Sequence, residues 1–289
     1  MPAFTAGSYD QDTVYAQLAE WMRQCKKHEC CGMGRRRHPA LPSRVIEVDT
    51  DKARLLDTRG LTGQYIALSY CWGGSQPCQL QRENKARYEH EIARSTLPKT
   101  IRDAFLVTEK LGYRYIWIDS MCIVQDDEDD KLAEIGKMQE IYSNASLVLC
   151  ASAPSSCEEG FLDAGQAPGA SSLLPDNGAV IKCSLPGDSE GTLRLIDRAE
   201  YRQSEEPVFS RGWTFQESLL PTRLVRFGAC LSWECKATSA VKTISSLSGA
   251  INQEDDFHSF FRWHEGPDAD VRKMFQSVFS SKCGNLVIH

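Results

Sequence analysis

Between residues 65 and 152, apolar runs of two kinds alternate along the chain, and their spacing predicts strand, helix, strand, helix, strand. "YIALSY" (65–70) is a short apolar run of the kind a buried strand requires, and it stops at "CWGG", where two glycines permit a tight turn or a close backbone approach. In "LPKTIRDAFLVTEKLGY", Ile101, Ala104, Phe105, Thr108 and Leu111 recur at helical spacing. Pro98 and Thr100 suit the first turn of that helix and Gly112 its C-terminal cap. "YRYIWID" is a second strand, ending at Asp119. The polar stretch "SMCIVQDDEDD" then leads into a helix, "KLAEIGKMQEIYSNA", whose buried stripe is expected to be Leu132, Ile135, Met138 and Ile141 or Tyr142. "SLVLCAS" (146–152) makes a third strand. This order predicts an α/β fold: a doubly wound, mainly parallel sheet flanked by helices.

The flanks carry weaker patterns. Val14, Leu18, Trp21 and Met22 fall at helical spacing near the N-terminus. After residue 152 the composition shifts to Ser, Gly, Pro and Ala, which reads as an irregular insert over about 153–207, with short strands in "AVIKCSL" and "TLRLI". "RGWTFQESLL" reads as a short helix closed by Pro221, and "RLVRFGACLSWEC" as a β-hairpin with Gly228 in its turn. The expected organisation is an N-terminal helical extension over 1–45, a main domain over 46–235 and a C-terminal segment over 236–289. The last holds a Trp- and Phe-rich piece (257–263) that would need a partner surface to bury itself, and no internal repeat is evident.

Composition narrows the classes. A chain of 289 residues with 42% hydrophobic content can bury a substantial core, and a net charge of −6 gives no footprint for nucleic acid or an anionic membrane. The one basic run, Arg35-Arg36-Arg37-His38, reads as a solvated loop. The N-terminus has no secretory signal pattern, and no stretch approaches the roughly 18 apolar residues of a membrane span, so a soluble cytoplasmic protein is expected. Twelve cysteines scattered through a long chain read as buried thiols in a reducing compartment, not as a disulfide framework. Cys25, His28, Cys30 and Cys31 have zinc-ligand chemistry, but no second well-spaced pair follows, so thiols packed under the helix are expected there.

In an open α/β sheet, ligands lie at the carboxyl ends of the parallel strands. Three segments there are polar, glycine-rich or aromatic: Ser69 to Gly74, Asp119 to Asp126, and the stretch with Arg211, Trp213 and Glu217. The chain has no GxxxxGK[ST] loop, no GxSxG elbow and no HExxH. Cys122 has no histidine partner motif and reads as a buried thiol. The acidic run Asp126 to Asp130 suits a helix start, where capping explains it without a cation. Trp213 and Glu217 are four apart, hence on one helical face, so the indole can desolvate the carboxylate or wall a pocket for a flat ring. The same spacing suits an indole anchored in the core with a rim glutamate paired to Arg211 or Arg223.

"YIALSYCWGG", the stretch from "LPKTIRDAF" to "SLVLCAS", and "RGWTFQESLLPTRLVRFGACLSWEC" together resemble the HET domain, the fungal heterokaryon incompatibility module, over about Leu41 to Cys235. "WMRQCKKHECC" is similar to the lead-in of many such proteins. The resemblance implies a role in non-self recognition and programmed cell death. It also implies a distant likeness to Toll/interleukin-1 receptor (TIR) domains, which have a flavodoxin-like sheet and in some branches cleave NAD. Their glutamate motif is similar to "SRGWTFQESL", with Trp213 on its tryptophan and Glu217 on its glutamate. The insert over 153–207 departs from the compact TIR pattern.

Carried over to this chain, the likeness implies Glu217 as the catalytic carboxylate of an NAD glycohydrolase. Ser69, Tyr70, Trp72, Gly73, Asp119, Gln125, Arg211 and Trp213 would bind substrate, Arg211 through a phosphate and Asp119 or Gln125 through ribose or base. It implies NAD as substrate and no metal, self-association, and an upstream non-self receptor as a partner. The alternative is a non-enzymatic self-association module in the same pathway, and a metal-dependent phosphatase or nuclease built on the acidic run ranks last.

Overall fold

Every residue of the run 65–70 is buried, and so is every residue of 147–151, as expected of strands covered on both faces. These two runs pair side by side at the centre of the sheet. The computed structural model describes residues 11–32, 39–49, 52–162, 180–185, 189–194, 206–211, 214–228, 231–237 and 239–242. In chain order the elements begin with α1 (Gln11–Cys25), α2 (Glu29–Gly32), β1 (Arg44–Val48), β2 (Ala53–Asp57) and β3 (Tyr65–Tyr70). Next come α3 (Lys85–His90), α4 (Lys99–Lys110), β4 (Tyr115–Trp117), α5 (Asp119–Cys122), α6 (Glu128–Ile135), α7 (Met138–Asn144) and β5 (Leu147–Ala151). After the separate hairpin β6 (Val180–Leu185) and β7 (Ser189–Arg194) come α8 (Thr214–Leu219), β8 (Arg223–Phe227), β9 (Leu231–Cys235) and β10 (Ser239–Lys242).

The main sheet has eight strands in the order β10-β9-β8-β5-β3-β4-β1-β2. Only β3 with β4, β3 with β5 and β5 with β8 are parallel. The pairs β1–β2, β1–β4, β8–β9 and β9–β10 are antiparallel, so the sheet is mixed, which corrects the expectation of a mainly parallel one. For β1–β2, β8–β9 and β9–β10 the physical reason is the connection: strands that follow one another in the chain need only a short turn to pair antiparallel, whereas each parallel pair needs a crossover. The parallel core runs β4-β3-β5-β8, which is 2-1-3-4 in chain order. The C-terminal hairpin falls where its sequence placed it, with Phe227 opposite Leu231. The β1–β2 hairpin was not foreseen.

The helix over 99–110 also falls where its pattern placed it, burying Ile101, Ala104, Phe105 and Thr108, and Gly112 just beyond takes φ +76°. The helix expected over 131–145 differs: it is two helices, α6 and α7, that break at Gly136 and Lys137. Leu132 is 71% exposed instead of buried, because α6 turns Glu134 inward, where it is 3% exposed and paired with Lys137 at 2.8 Å. Met138, Ile141 and Tyr142 of α7 are buried as expected.

The N-terminal helix is part of the same core. Val14, Leu18, Trp21 and Met22 are all buried, and Trp21 stacks on Trp233 of β9 at 6.0 Å. The first residues of the insert are fixed as well: Asp103 Oδ2 accepts the backbone N–H groups of Phe161 and Leu162 at 2.8 and 3.0 Å. The Phe161 ring then packs 4.5 Å from that of Phe227. Among the described residues seven cysteines are buried, Cys30 is exposed and Cys235 half-buried. No helix among them is long and apolar enough to cross a membrane.

Candidate functional site

Strand β3 is continuous and apolar until Ser69, so the first polar side chain it delivers lies at its carboxyl end. There the Ser69 hydroxyl donates to Glu217 Oε2, joining β3 to α8 across 148 positions of sequence. Glu217 is 2% exposed, which settles its place: it is neither a rim residue nor a surface charge. A buried carboxylate needs partners. Arg211 Nη1 lies 3.3 Å from the same Oε2, and Arg211 Nη2 lies 3.8 Å from Asp119 Oδ2, so one guanidinium serves two carboxylates. Arg223, the other cation considered for Glu217, points elsewhere, to Cys25, Cys31 and Ser146.

Asp119 follows β4 directly and opens α5, and so sits at the carboxyl end of the strand beside β3. Its Oδ2 accepts from the Trp72 indole N–H at 3.0 Å and its Oδ1 from the Ser120 backbone N–H at 2.7 Å. Burial, with the Glu217 charge adding to it, pushes the Asp119 carboxyl up to about 6 against the pull of Arg211. For Arg211, burial works against the charge, but the Glu217 and Asp119 carboxylates outweigh it and raise the guanidinium further. Tyr142 of α7 is fully buried beside the cluster: its hydroxyl donates to the Leu68 carbonyl at 3.4 Å, and burial followed by the Glu217 and Asp119 charges holds it well above the usual phenol range. The sequence reading placed Tyr142 in the core stripe of this helix, and the structure finds it there.

The "CWGG" turn sets the Trp72 indole against Asp119. Gly73 takes φ +73°, and a Cβ there would stand 2.5 Å from the Ser156 backbone Cα, so its close approach is to the chain's own insert. Gln76 Nε2 holds the Trp72 carbonyl at 2.8 Å, and the Tyr70 hydroxyl donates to Gln76 Oε1 at 3.1 Å while meeting Ser120 Oγ at 2.7 Å. Gln125 Nε2 donates to the Asp119 and Ile123 carbonyls, both at 3.1 Å.

Of the residues singled out from sequence, the fold brings Ser69, Trp72, Asp119, Arg211 and Glu217 into one cluster. Tyr70, Gly73 and Gln125 brace the loops around it. Trp213 lies outside the described residues. The acidic run is taken up by structural ties: Asp127 caps α6 by accepting from Asp130 N–H and pairs with Arg82, while Asp130 pairs with Arg44 at 2.5 Å. Cys122 is fully buried, and that burial pushes its thiol up to about 12, far from a nucleophile's range. A surface recess of about 360 Å³, lined by Thr58, Lys137, Glu140 and Ile141 among others, lies by Tyr65 at the opposite end of β3 and does not touch this cluster.

The family described as heterokaryon incompatibility protein (HET) has a sequence model that matches residues 65–217, a span that opens on the first residue of β3 and closes on Glu217. Over 92 residues, 29% of this chain, the sequence is 32% identical to the heterokaryon incompatibility protein 6, OR allele, of Neurospora crassa. That alignment covers 14% of the relative's length. No solved structure matches the chain.

Proposed function

Because the chain belongs to the heterokaryon incompatibility family, we propose that it acts in fungal non-self recognition and cell death by cleaving NAD, with Glu217 as its catalytic carboxylate. The observation that carries this reading is a nearly buried glutamate at the carboxyl end of the central parallel strand, held by Ser69 and Arg211. The 2-1-3-4 order of the parallel core is that of flavodoxin-like folds, in which ligands lie at those strand ends. In the reaction the glycosidic bond from ribose C1′ to the pyridinium nitrogen breaks, and its electron pair passes to the ring. Nicotinamide therefore leaves neutral and needs no general acid, unlike the leaving group of most glycosides. Water adds to C1′ and releases one proton, giving ADP-ribose. Glu217 stabilises the positive charge that develops on the ribose and orients its hydroxyls, a contribution made mainly in the transition state. Arg211 would take a phosphate in exchange for its present carboxylates, and Asp119 would accept from a ribose hydroxyl.

A second reading rests on the saturation of the same carboxylate. With Ser69 and Arg211 both on Oε2 and 2% exposure, Glu217 also suits a polar lock that fixes α8 to β3 in a non-enzymatic self-association module. Nicotinamide release by the concentrated chain, wild type beside Glu217→Gln with folding followed by circular dichroism, separates the two. The enzyme reading expects turnover that falls at least about 100-fold in a folded variant. Absence of turnover in both proteins under conditions that force assembly, with a lower melting temperature in the variant, would overturn it in favour of the lock.

A further inference from the structure

At the end of the molecule where α1 meets the C-terminal hairpin, four ligand-type side chains converge. Cys25 closes α1, His28 follows it, Cys31 lies in α2, and Cys235 is the last residue of β9, 207 positions beyond His28. Their ligand atoms all lie within 4.8 Å of one another. His28 Nδ1 is 3.6 Å from Cys235 Sγ and 3.9 Å from Cys31 Sγ. A tetrahedral zinc ion with sulfur at about 2.3 Å and imidazole nitrogen at about 2.05 Å sets ligand edges of about 3.8 Å between sulfurs and about 3.6 Å between sulfur and nitrogen. The two sulfur–nitrogen spacings lie within about 0.3 Å of that edge, and the remaining ligand atoms lie within 4.8 Å of one another.

We propose that Cys25, His28, Cys31 and Cys235 form a structural zinc site that clasps the N-terminal helices to the β8–β9 hairpin. The local spacing C-x2-H-x2-C supplies three ligands, and the fold supplies the fourth. Four protein ligands leave no position open for water, which is the mark of a structural and not a catalytic zinc. The surroundings fit the charge. Zinc with three thiolates and a neutral imidazole carries −1, and Arg223 stands beside it with Nε 3.1 Å from Cys25 Sγ and Nη2 3.1 Å from the Cys31 carbonyl. Such an outer cation neutralises the site and orients its ligands. Cys30, the fourth ligand candidate nearest in sequence, is exposed and outside the group. The clasp stands next to the Trp21–Trp233 stack, so zinc and aromatic packing secure the same junction. Softer thiolate-rich sites also take copper(I), but a tetrahedral set that includes imidazole suits zinc.

The test uses the full chain, expressed with zinc and purified in reducing buffer without metal-affinity resin. Elemental analysis is expected to find about one zinc per chain, and replacement by cobalt(II) to give the thiolate charge-transfer and visible bands of a tetrahedral site. Cys30→Ser should retain the metal, while Cys235→Ser should weaken its binding at least about 10-fold. A folded wild-type chain free of metal and giving no tetrahedral cobalt spectrum would overturn the proposal. So would a Cys25–Cys235 disulfide in peptide maps, or zinc lost from Cys30→Ser and kept by Cys235→Ser. Should Cys235→Ser fail to fold, the wild-type stoichiometry and cobalt spectrum decide the matter alone.

Discussion

Asp119 carries the clearest electrostatic signature of the site. Its folded value of about 6 stands above the ordinary 3.8, so between those two values the folded chain holds a proton that the unfolded chain gives up. Stability contributed by this group is therefore present below the window and is lost as pH rises through it, by at most about 3 kcal/mol. Asparagine keeps an acceptor for only one of the Trp72 indole and the Ser120 N–H, a loss that does not vary with pH, and it cannot ionise. Asp119→Asn should thus gain on the wild type as pH rises from about 4 to about 7, read as the difference in urea midpoints. A difference that stays constant with pH would show that Asp119 titrates as an ordinary carboxyl. At this scale the sequence was legible where polar residues interrupt apolar strands: Ser69 and Asp119 announce themselves by position. What it could not convey is that Arg211 holds two carboxylates at once, since that pairing exists only after β3, β4 and α8 converge. Cys235, the fourth member of the group with Cys25, His28 and Cys31, was hidden for the same reason, being far from the other three in sequence.

Elements followed their patterns wherever one periodicity ran unbroken and packing agreed with it. Strands β3 and β5 and helix α4 are of that kind, each with a continuous apolar run or a clean helical stripe. The β1–β2 hairpin was missed because charged residues interrupt its apolar ones: Arg44 and Glu47 are buried through ion pairs with Asp130 and with Arg54 and Arg114. The region 131–145 misled in the opposite direction, since its apolar spacing continues across a break at Gly136 and Lys137. Gly136 takes φ −60° and ψ −21°, a conformation open to any L-residue, and an added Cβ would meet Leu132 O at 3.4 Å, an ordinary contact. Glycine there carries a penalty through the freedom of the unfolded chain without being needed in the folded one. Gly136→Ala is accordingly expected to raise stability by about 0.4–1 kcal/mol, seen as a higher denaturation midpoint with an unchanged slope. A lower midpoint would mean that the α6–α7 junction needs more room than its backbone angles imply.

For the molecule as a whole, the closed state of Glu217 bears on when the proposed chemistry can occur. A carboxylate with 2% exposure, engaged by Ser69 and Arg211, cannot meet a ribose until those contacts are exchanged. If the closed arrangement dominates in the single chain, apparent substrate affinity falls by the fraction of molecules that are open. Self-association that favours the open form would restore it, since binding to one of two states shifts the population toward that state. This arrangement predicts that nicotinamide release per chain rises with protein concentration and levels off once assembly is complete, as followed by light scattering on the same samples. It further predicts that Ser69→Ala, which removes one of the contacts closing Glu217, shifts the rise to lower concentration by several-fold without creating new ligands for the substrate. Turnover per chain that is constant across the whole range would mean that the single chain opens unaided, and the exchange of Ser69 and Arg211 for substrate would then be the work of NAD alone.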